Sequence, residues 1–188
     1  MIIRTVGLTT RALISFGAIC LLLITLAGTV LYELKGVHDS ATELKNNWLP
    51  SVQAVGKIET AALLYRLDAR RFVMDDKRLG EASMKKIGLL RSTLTQNVEA
   101  YKPLISSPKE QELFNKVAGD VAAYQSKIDE LMTLSKTQTY QEMALFIQDT
   151  TKPQAVALQA SLAELIDLNN QGAIESLAPP PTRASRMA

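Results

Sequence analysis

Two arginines four residues apart are the side chains whose type and spacing suit a chemical task. Arg66 and Arg70 lie in the stretch AALLYRLDARRFVMDD, and on a helix this spacing places two side chains about 40° apart on one face. A guanidinium group presents a planar fork of N–H donors that matches a carboxylate. The pair therefore indicates a binding site for an organic anion. The alternative is that both arginines only hydrate a helix face and pair with Glu59 or Asp149.

A proline late in the chain marks a second candidate region. Thr151 and Gln154 flank Pro153 in the stretch TTKPQAVALQ. Proline has no backbone N–H, so a carbonyl one turn earlier loses its helical donor. This turn therefore has free acceptors for an ammonium group or a hydroxyl. The alternative is an ordinary helix start.

The sequence lacks the residue sets that are typical of catalysis, so we expect no enzymatic activity, no catalytic residue, no cofactor and no metal. The single histidine, His38, has no cysteine, histidine or paired carboxylate near it at a recognisable spacing. The single cysteine, Cys20, has no partner for a disulfide. Glycine-rich phosphate loops and nucleophile motifs are absent from the sequence as well.

Residues 12–32, ALISFGAICLLLITLAGTVLY, form an uncharged run that predicts a transmembrane helix. At about 1.5 Å per residue the run reaches roughly 31 Å, close to the hydrocarbon thickness of a bilayer. Arg4 and Arg11 precede it, and basic residues beside a first span stay in the cytoplasm. We expect a cytoplasmic stub at 1–11, a single span in the inner membrane and a periplasmic remainder. A cleaved signal peptide is the alternative.

The charges of the remainder are balanced. All 19 acidic residues and 19 of the 21 basic residues follow Tyr32. A domain without a basic excess is a poor partner for nucleic acid, so we expect none.

Apolar residues after the span recur at three- and four-residue steps, which predicts an all-α fold. Ser107, Pro108 and Glu110 predict a helix start with a capping box, and Thr139 with Glu142 predicts another. Pro50 should kink or break the first long helix. One of the apolar stripes consists of Leu113, Val117, Val121, Tyr124, Ile128 and Leu131.

Short connections between the predicted helices favour an antiparallel up-down four-helix bundle. The bundle should occupy residues 33–178, with the transmembrane helix leading into it. The three consecutive prolines Pro179, Pro180 and Pro181 predict a disordered tail over residues 179–188.

These features together resemble the four-helix-bundle periplasmic sensor domain of bacterial methyl-accepting chemotaxis receptors. The likeness covers roughly residues 5–176 and depends on the basic stub and span, on NNWLPSVQAV, on the arginine-containing stretch and on TTKPQAVALQ. The resemblance implies a homodimer that binds a small extracellular solute between its subunits for chemotactic signal transduction. The partners would be a small organic acid or amino-acid-like ligand and a second copy or an intact receptor.

The resemblance also implies roles for individual residues. In the aspartate and serine receptors an arginine triplet at spacings of five and four contacts the ligand carboxylates; Arg66 and Arg70 match its last two members, and the first falls on Ala61. Tyr65 would supply stacking, and Thr151 and Gln154 would face the ligand. The missing arginine favours an organic anion other than the amino acids of those receptors, such as an aromatic or a dicarboxylic acid.

The sequence departs from the family plan after the bundle. It shows no second span, HAMP linker or methylation helices, so the expectation is a sensory domain without its own output module. The alternatives are a non-signalling receptor remnant, which either has an idle pocket or forms mixed dimers that damp intact receptors, and the severed input domain of a histidine kinase or diguanylate cyclase.

Overall fold

A computed structural model describes residues 7–74 and 81–177, and every element in these ranges is helical. The predicted all-α class is therefore confirmed. The first six residues of the stub, residues 75–80 between the two described ranges, and residues 178–188, which include the predicted tail, lie outside the described residues. The α-helices are α1 (Leu8–Glu43), α2 (Leu49–Met74), α3 (Glu81–Tyr101), α4 (Pro108–Leu134), α5 (Tyr140–Phe146) and α6 (Lys152–Leu177). Two π-helical turns, Leu44–Trp48 and Ile147–Thr151, and one 3₁₀ turn, Lys102–Leu104, complete the set.

Helix α1 belongs to one unit of the chain, and residues Leu44–Ser176 form the other. The apolar side chains of α1, such as Leu13, Phe16, Leu22 and Ile24, are exposed. Within the described residues one helix, which includes this segment, is long and apolar enough to cross a bilayer. The exposed apolar side chains fit a lipid environment better than water.

Contacts between α2 and α3 show that these helices are antiparallel. Lys86 forms an ion pair with Asp68 at 2.8 Å, and the Asn97 amide donates to the Lys57 carbonyl at 3.1 Å. Residue numbers that rise on one helix while they fall on the other define the antiparallel register. The short connection around residues 75–80 predicted this arrangement.

The other neighbours follow the same rule. Between α3 and α4, Arg91 pairs with Asp129 at 2.9 Å and Gln125 donates to Thr95 Oγ1 at 3.1 Å. Lys116 of α4 pairs with Glu164 of α6 at 2.8 Å. Leu131 of α4 lines the same cavity as Ala155 of α6. Helices α2, α3, α4 and α6 are therefore the four long members of an up-down bundle, and α5 is a short helix before α6.

The core of this unit is apolar with aromatic pairs. Tyr65 meets Tyr124 edge to face with ring centroids 5.8 Å apart, and Tyr101 stacks on Phe114 at 5.5 Å. Such pairs stabilise by about 0.5–1.5 kcal/mol beyond the burial of their surface. The fully buried residues of the core include Ile58, Leu94, Val117, Ile128, Leu131, Met143 and Leu165.

The start of α4 differs in one respect from the predicted capping box. Ser107 Oγ accepts the N–H of Glu110 at 3.1 Å, as expected for the N-cap. The Glu110 carboxylate, however, does not return to the N-cap backbone. It accepts from the Ser106 N–H at 2.8 Å and from the buried Tyr101 hydroxyl at 2.6 Å, because Tyr101 ends α3 directly beside it. The Thr139–Glu142 capping box of α5 is confirmed in both directions.

Each π-helical turn ends two residues before a proline, Pro50 or Pro153. A proline cannot donate to the carbonyl four residues earlier, and a shift to a five-residue hydrogen bond avoids part of that loss. The N–H of Lys152 accordingly bonds to the carbonyl of Ile147. The predicted break at Pro50 is thus a π-helical turn, and Trp48 at its end lies against Gly172 of α6.

Candidate functional site

The two arginines flank the buried face of α2. Ile58, Ala62 and Tyr65 point into the core, whereas Arg66 is half-buried and Arg70 is exposed. Both side chains are therefore at least partly accessible to solvent.

Both arginines border one small cavity between α2, α4 and the start of α6, which we call the arginine cavity. Its volume is about 10 Å³, roughly the space of one water molecule. Its lining consists of Arg66, Ala69, Arg70, Tyr124, Ile128, Leu131, Ile147, Thr151, Lys152 and Ala155. The structure therefore brings together three of the predicted site residues: Arg66, Arg70 and Thr151.

The electrostatics of Tyr124 show that both guanidinium groups lie near its hydroxyl. Burial raises the pKa of Tyr124 to about 12, and the positive charges of Arg66 and Arg70 partly oppose that rise. A cation lowers a phenol pKa because it favours the phenolate. Tyr124 thus contributes a neutral hydroxyl beside two positive charges.

Thr151 contributes an unpartnered polar atom to the same cavity. The residue is only 4% exposed, and Oγ1 has no hydrogen-bond partner within the described residues. A buried hydroxyl without a partner costs roughly 1–3 kcal/mol. The π-helical turn before Pro153 positions this residue, and such turns are frequent at functional sites.

Neighbouring cations have carboxylate partners, whereas the cations of the cavity have none within the described residues. Arg71 lies 3.6 Å from Asp68, and Arg91 pairs with Asp129. In the described part of the chain, Arg66 and Arg70 form no ion pair with Glu59 or Asp149, the alternative raised by the sequence. Lys152 is also without a carboxylate partner there.

The remaining predicted residues lie outside the cavity lining. Tyr65 is fully buried, and its ring packs behind Tyr124. Gln154 is half-buried on the first turn of α6. Ala61, which occupies the position of the missing arginine, is buried in the core.

Two larger grooves adjoin the arginine cavity. The first, the α2–α6 groove, has a volume of about 430 Å³ and shares Arg66, Tyr124 and Ala155 with the cavity. The second has a volume of about 320 Å³ and shares Arg70, Ile147 and Lys152 with it. The cavity therefore lies between two spaces of ligand size.

Sequence reasoning missed Lys152 and the binding aspect of Tyr124. Lys152 stands between Thr151 and Pro153, so its place at the head of the last helix was a usable signal. Tyr124 gave no such signal because its spacing matches the apolar stripe of α4.

The described residues contain no group of three or more potential metal ligands.

Comparison with known proteins defines the class to which this bundle belongs. The model of a family described as a four-helix-bundle sensory module for signal transduction matches residues 7–178. The chain belongs to this family, which is a non-catalytic class of sensory module.

A solved structure shares the architecture. The periplasmic sensor domain of a sensor histidine kinase superposes with a TM-score of 0.63 at 16% identity, covering 73% of this chain and 92% of that chain. At this identity the likeness shows the fold alone. The search of curated proteins found no match.

Proposed function

We propose that this sensory module is the ligand-binding domain of a chemotaxis receptor and that it binds a small organic anion at Arg66 and Arg70. The observation that carries the proposal is the arginine cavity. Within the described residues, two guanidinium groups without carboxylate partners converge there with a buried, unpartnered Thr151 hydroxyl. A bound carboxylate would supply the acceptor that all three groups lack.

The site residues divide by role. The two arginines bind the carboxylate by charge-assisted hydrogen bonds, and Lys152 adds a third positive charge. Thr151 Oγ1 donates to a ligand oxygen. Gln154 offers a further polar contact from the same turn, and Tyr65 acts through the ring of Tyr124, which it supports from behind.

The binding face also suits a homodimer. Leu63, Leu67, Arg70 and Met74 follow one another at steps of four, three and four along α2, and all are exposed. Three of the four are apolar, and an exposed stripe of this period suits the seam of a coiled coil. Pairing of two copies along α2 would place Arg70 of each subunit in the seam, so the anion would bind at the dimer interface.

The exposed apolar residues of α1 supply the membrane anchor of this proposal. Arg4 and Arg11 before the apolar run favour a cytoplasmic amino terminus and a periplasmic bundle, anchored in the inner membrane.

A second candidate follows from the structural likeness to the sensor domain of a histidine kinase. The same bundle would then serve as the input module of a kinase. Both candidates share the step of ligand binding, so the anion site is tested in the same way for each.

The test combines binding with association. The full-length chain in detergent is screened against organic acids by thermal shift, where an acid at 100 times its dissociation constant adds about 2.7 kcal/mol of apparent stability. Arg70→Ala should abolish this stabilisation, and Arg71→Ala should retain it because Arg71 faces solvent beside Asp68. Analytical ultracentrifugation should show that the active acid shifts the monomer–dimer equilibrium toward dimer. Equal binding by Arg70→Ala and the parent would refute the site.

A further inference from the structure

The α2–α6 groove extends directly from the arginine that would hold the carboxylate. Its volume of about 430 Å³ falls within the range of roughly 300–1,000 Å³ that is usual for small-molecule sites. Arg66 borders both the groove and the arginine cavity, and Tyr124 and Ala155 form part of both linings. The rest of a molecule held by Arg66 would therefore lie in the groove.

The walls of the groove are mainly apolar. Ala62 of α2 and Ala155 of α6 are small residues on facing helices, and their size leaves the space open. Leu158 and Leu162 are buried beneath them, and Leu63 forms an exposed rim. Such walls favour an apolar body and would desolvate a second charged group without a partner.

The far end of the groove has the opposite charge to the near end. Glu59 lines it, and this residue precedes Arg66 by seven positions, which is roughly 10.5 Å along the helix axis. A carboxylate at that distance repels a second anionic group and accepts a hydrogen bond from a hydroxyl or an amine. Seen from Arg66, the groove therefore presents a cation, an apolar wall and an acceptor in that order.

We propose, on the basis of the anion site proposed above, that the ligand is a monocarboxylate with an apolar, ring-sized body. The carboxylate binds Arg66, the body fills the groove, and a hydrogen-bond donor at its far end reaches Glu59. A short dicarboxylate fits poorly because its second charge meets apolar walls. An α-amino acid fits poorly because its ammonium group, next to the carboxylate, faces Arg70 and Lys152.

The experiment is calorimetric titration of the full-length chain in lipid nanodiscs with four acids: phenylacetate, 4-hydroxyphenylacetate, succinate and aspartate. The two aromatic acids should bind at least about tenfold more tightly than the other two. Ala155→Leu, which fills the groove, should weaken the binding of phenylacetate at least about tenfold. Ala160→Leu is the matched control, because Ala160 is exposed on α6 and does not line the groove.

Loss of binding by Ala155→Leu supports the groove only if the melting temperature of this variant matches that of the parent. If it does not, Gln159→Phe takes its place, because Gln159 is exposed on the rim and can fill the groove without entering the core. Tighter binding of succinate or aspartate, or unchanged phenylacetate binding by the groove-filling variant, would overturn this inference and leave the arginine site standing. Failure of all four acids, and of every acid in the thermal-shift screen, would overturn the proposed function as well.

Discussion

Gly172 of α6 should resist the substitution that usually stabilises a helical glycine. Replacement of glycine by alanine in a helix interior normally gains about 0.5–1 kcal/mol, because alanine loses less conformational entropy. A Cβ on Gly172, however, would overlap the six-membered ring of Trp48. Overpacking of this kind costs about 1–3 kcal/mol. We therefore expect Gly172→Ala to lower the free energy of unfolding by about 0.5–2 kcal/mol.

Gly119 provides the matched control. It lies in α4, is exposed, and a Cβ there would meet no heavy atom within 4 Å. Gly119→Ala should therefore gain up to about 1 kcal/mol, so that the two glycine variants move in opposite directions. Urea unfolding of the full-length chain in a mild detergent, followed by circular dichroism, measures both differences.

A double-mutant cycle assigns the cost to Trp48. In a Trp48→Leu background the ring is gone, and Gly172→Ala should become neutral or stabilising. The coupling between the two substitutions should then be about 1–3 kcal/mol. If Gly172→Ala stabilises the otherwise unchanged chain as much as Gly119→Ala does, Trp48 does not pack on this glycine as described.

Three further predictions concern the membrane topology, the independence of the fold from metals and disulfides, and the dependence of stability on pH. Alkaline phosphatase fused after Gly36 should be active in the periplasm, and an inactive reporter there would overturn the orientation derived from the basic stub. Chelator and reductant should leave the helical circular dichroism spectrum unchanged, because the described residues offer no metal cluster; unfolding by either agent would contradict this. Burial raises the pKa of Tyr65, Tyr101 and Tyr124, so the stability present below pH 10 should fall as pH rises to about 12, and Tyr124→Phe should flatten this fall in alkaline urea titrations.

The fold was predictable because its signals are local and repeated. The apolar stripe of α4 and the capping box at Thr139 determine a helix each, and short connections determine antiparallel neighbours. Glu110 shows where this reasoning ended. Its spacing from Ser107 matches a capping box. Its carboxylate instead accepts from Tyr101, because the end of α3 lies beside it, and that position is set by tertiary packing.

The candidate site was predictable only in part. Arg66 and Arg70 share a face by helical geometry alone, and the structure places both beside one cavity. Tyr124 and Lys152 also belong to the lining. Their place there depends on the register of α4 and α6 against α2, which no local pattern encodes. The same holds for the α2–α6 groove, since its alanines leave space only where the two helices lie side by side.

The π-helical turn before α6 explains how the spacing of residues in the sequence directs Thr151 into the arginine cavity. Met143, Ile147, Thr151 and Ala155 follow one another at steps of four, and three of the four are buried. In an α-helix each such step overshoots a full turn by about 40°, so three steps would rotate the face by about 120° and carry it out of the core. The extra residue of the π-helical turn compensates about 100° of that rotation. Thr151 consequently remains directed inward beside the arginines, so a run of four-residue steps that ends at a proline is the sequence signal for this turn.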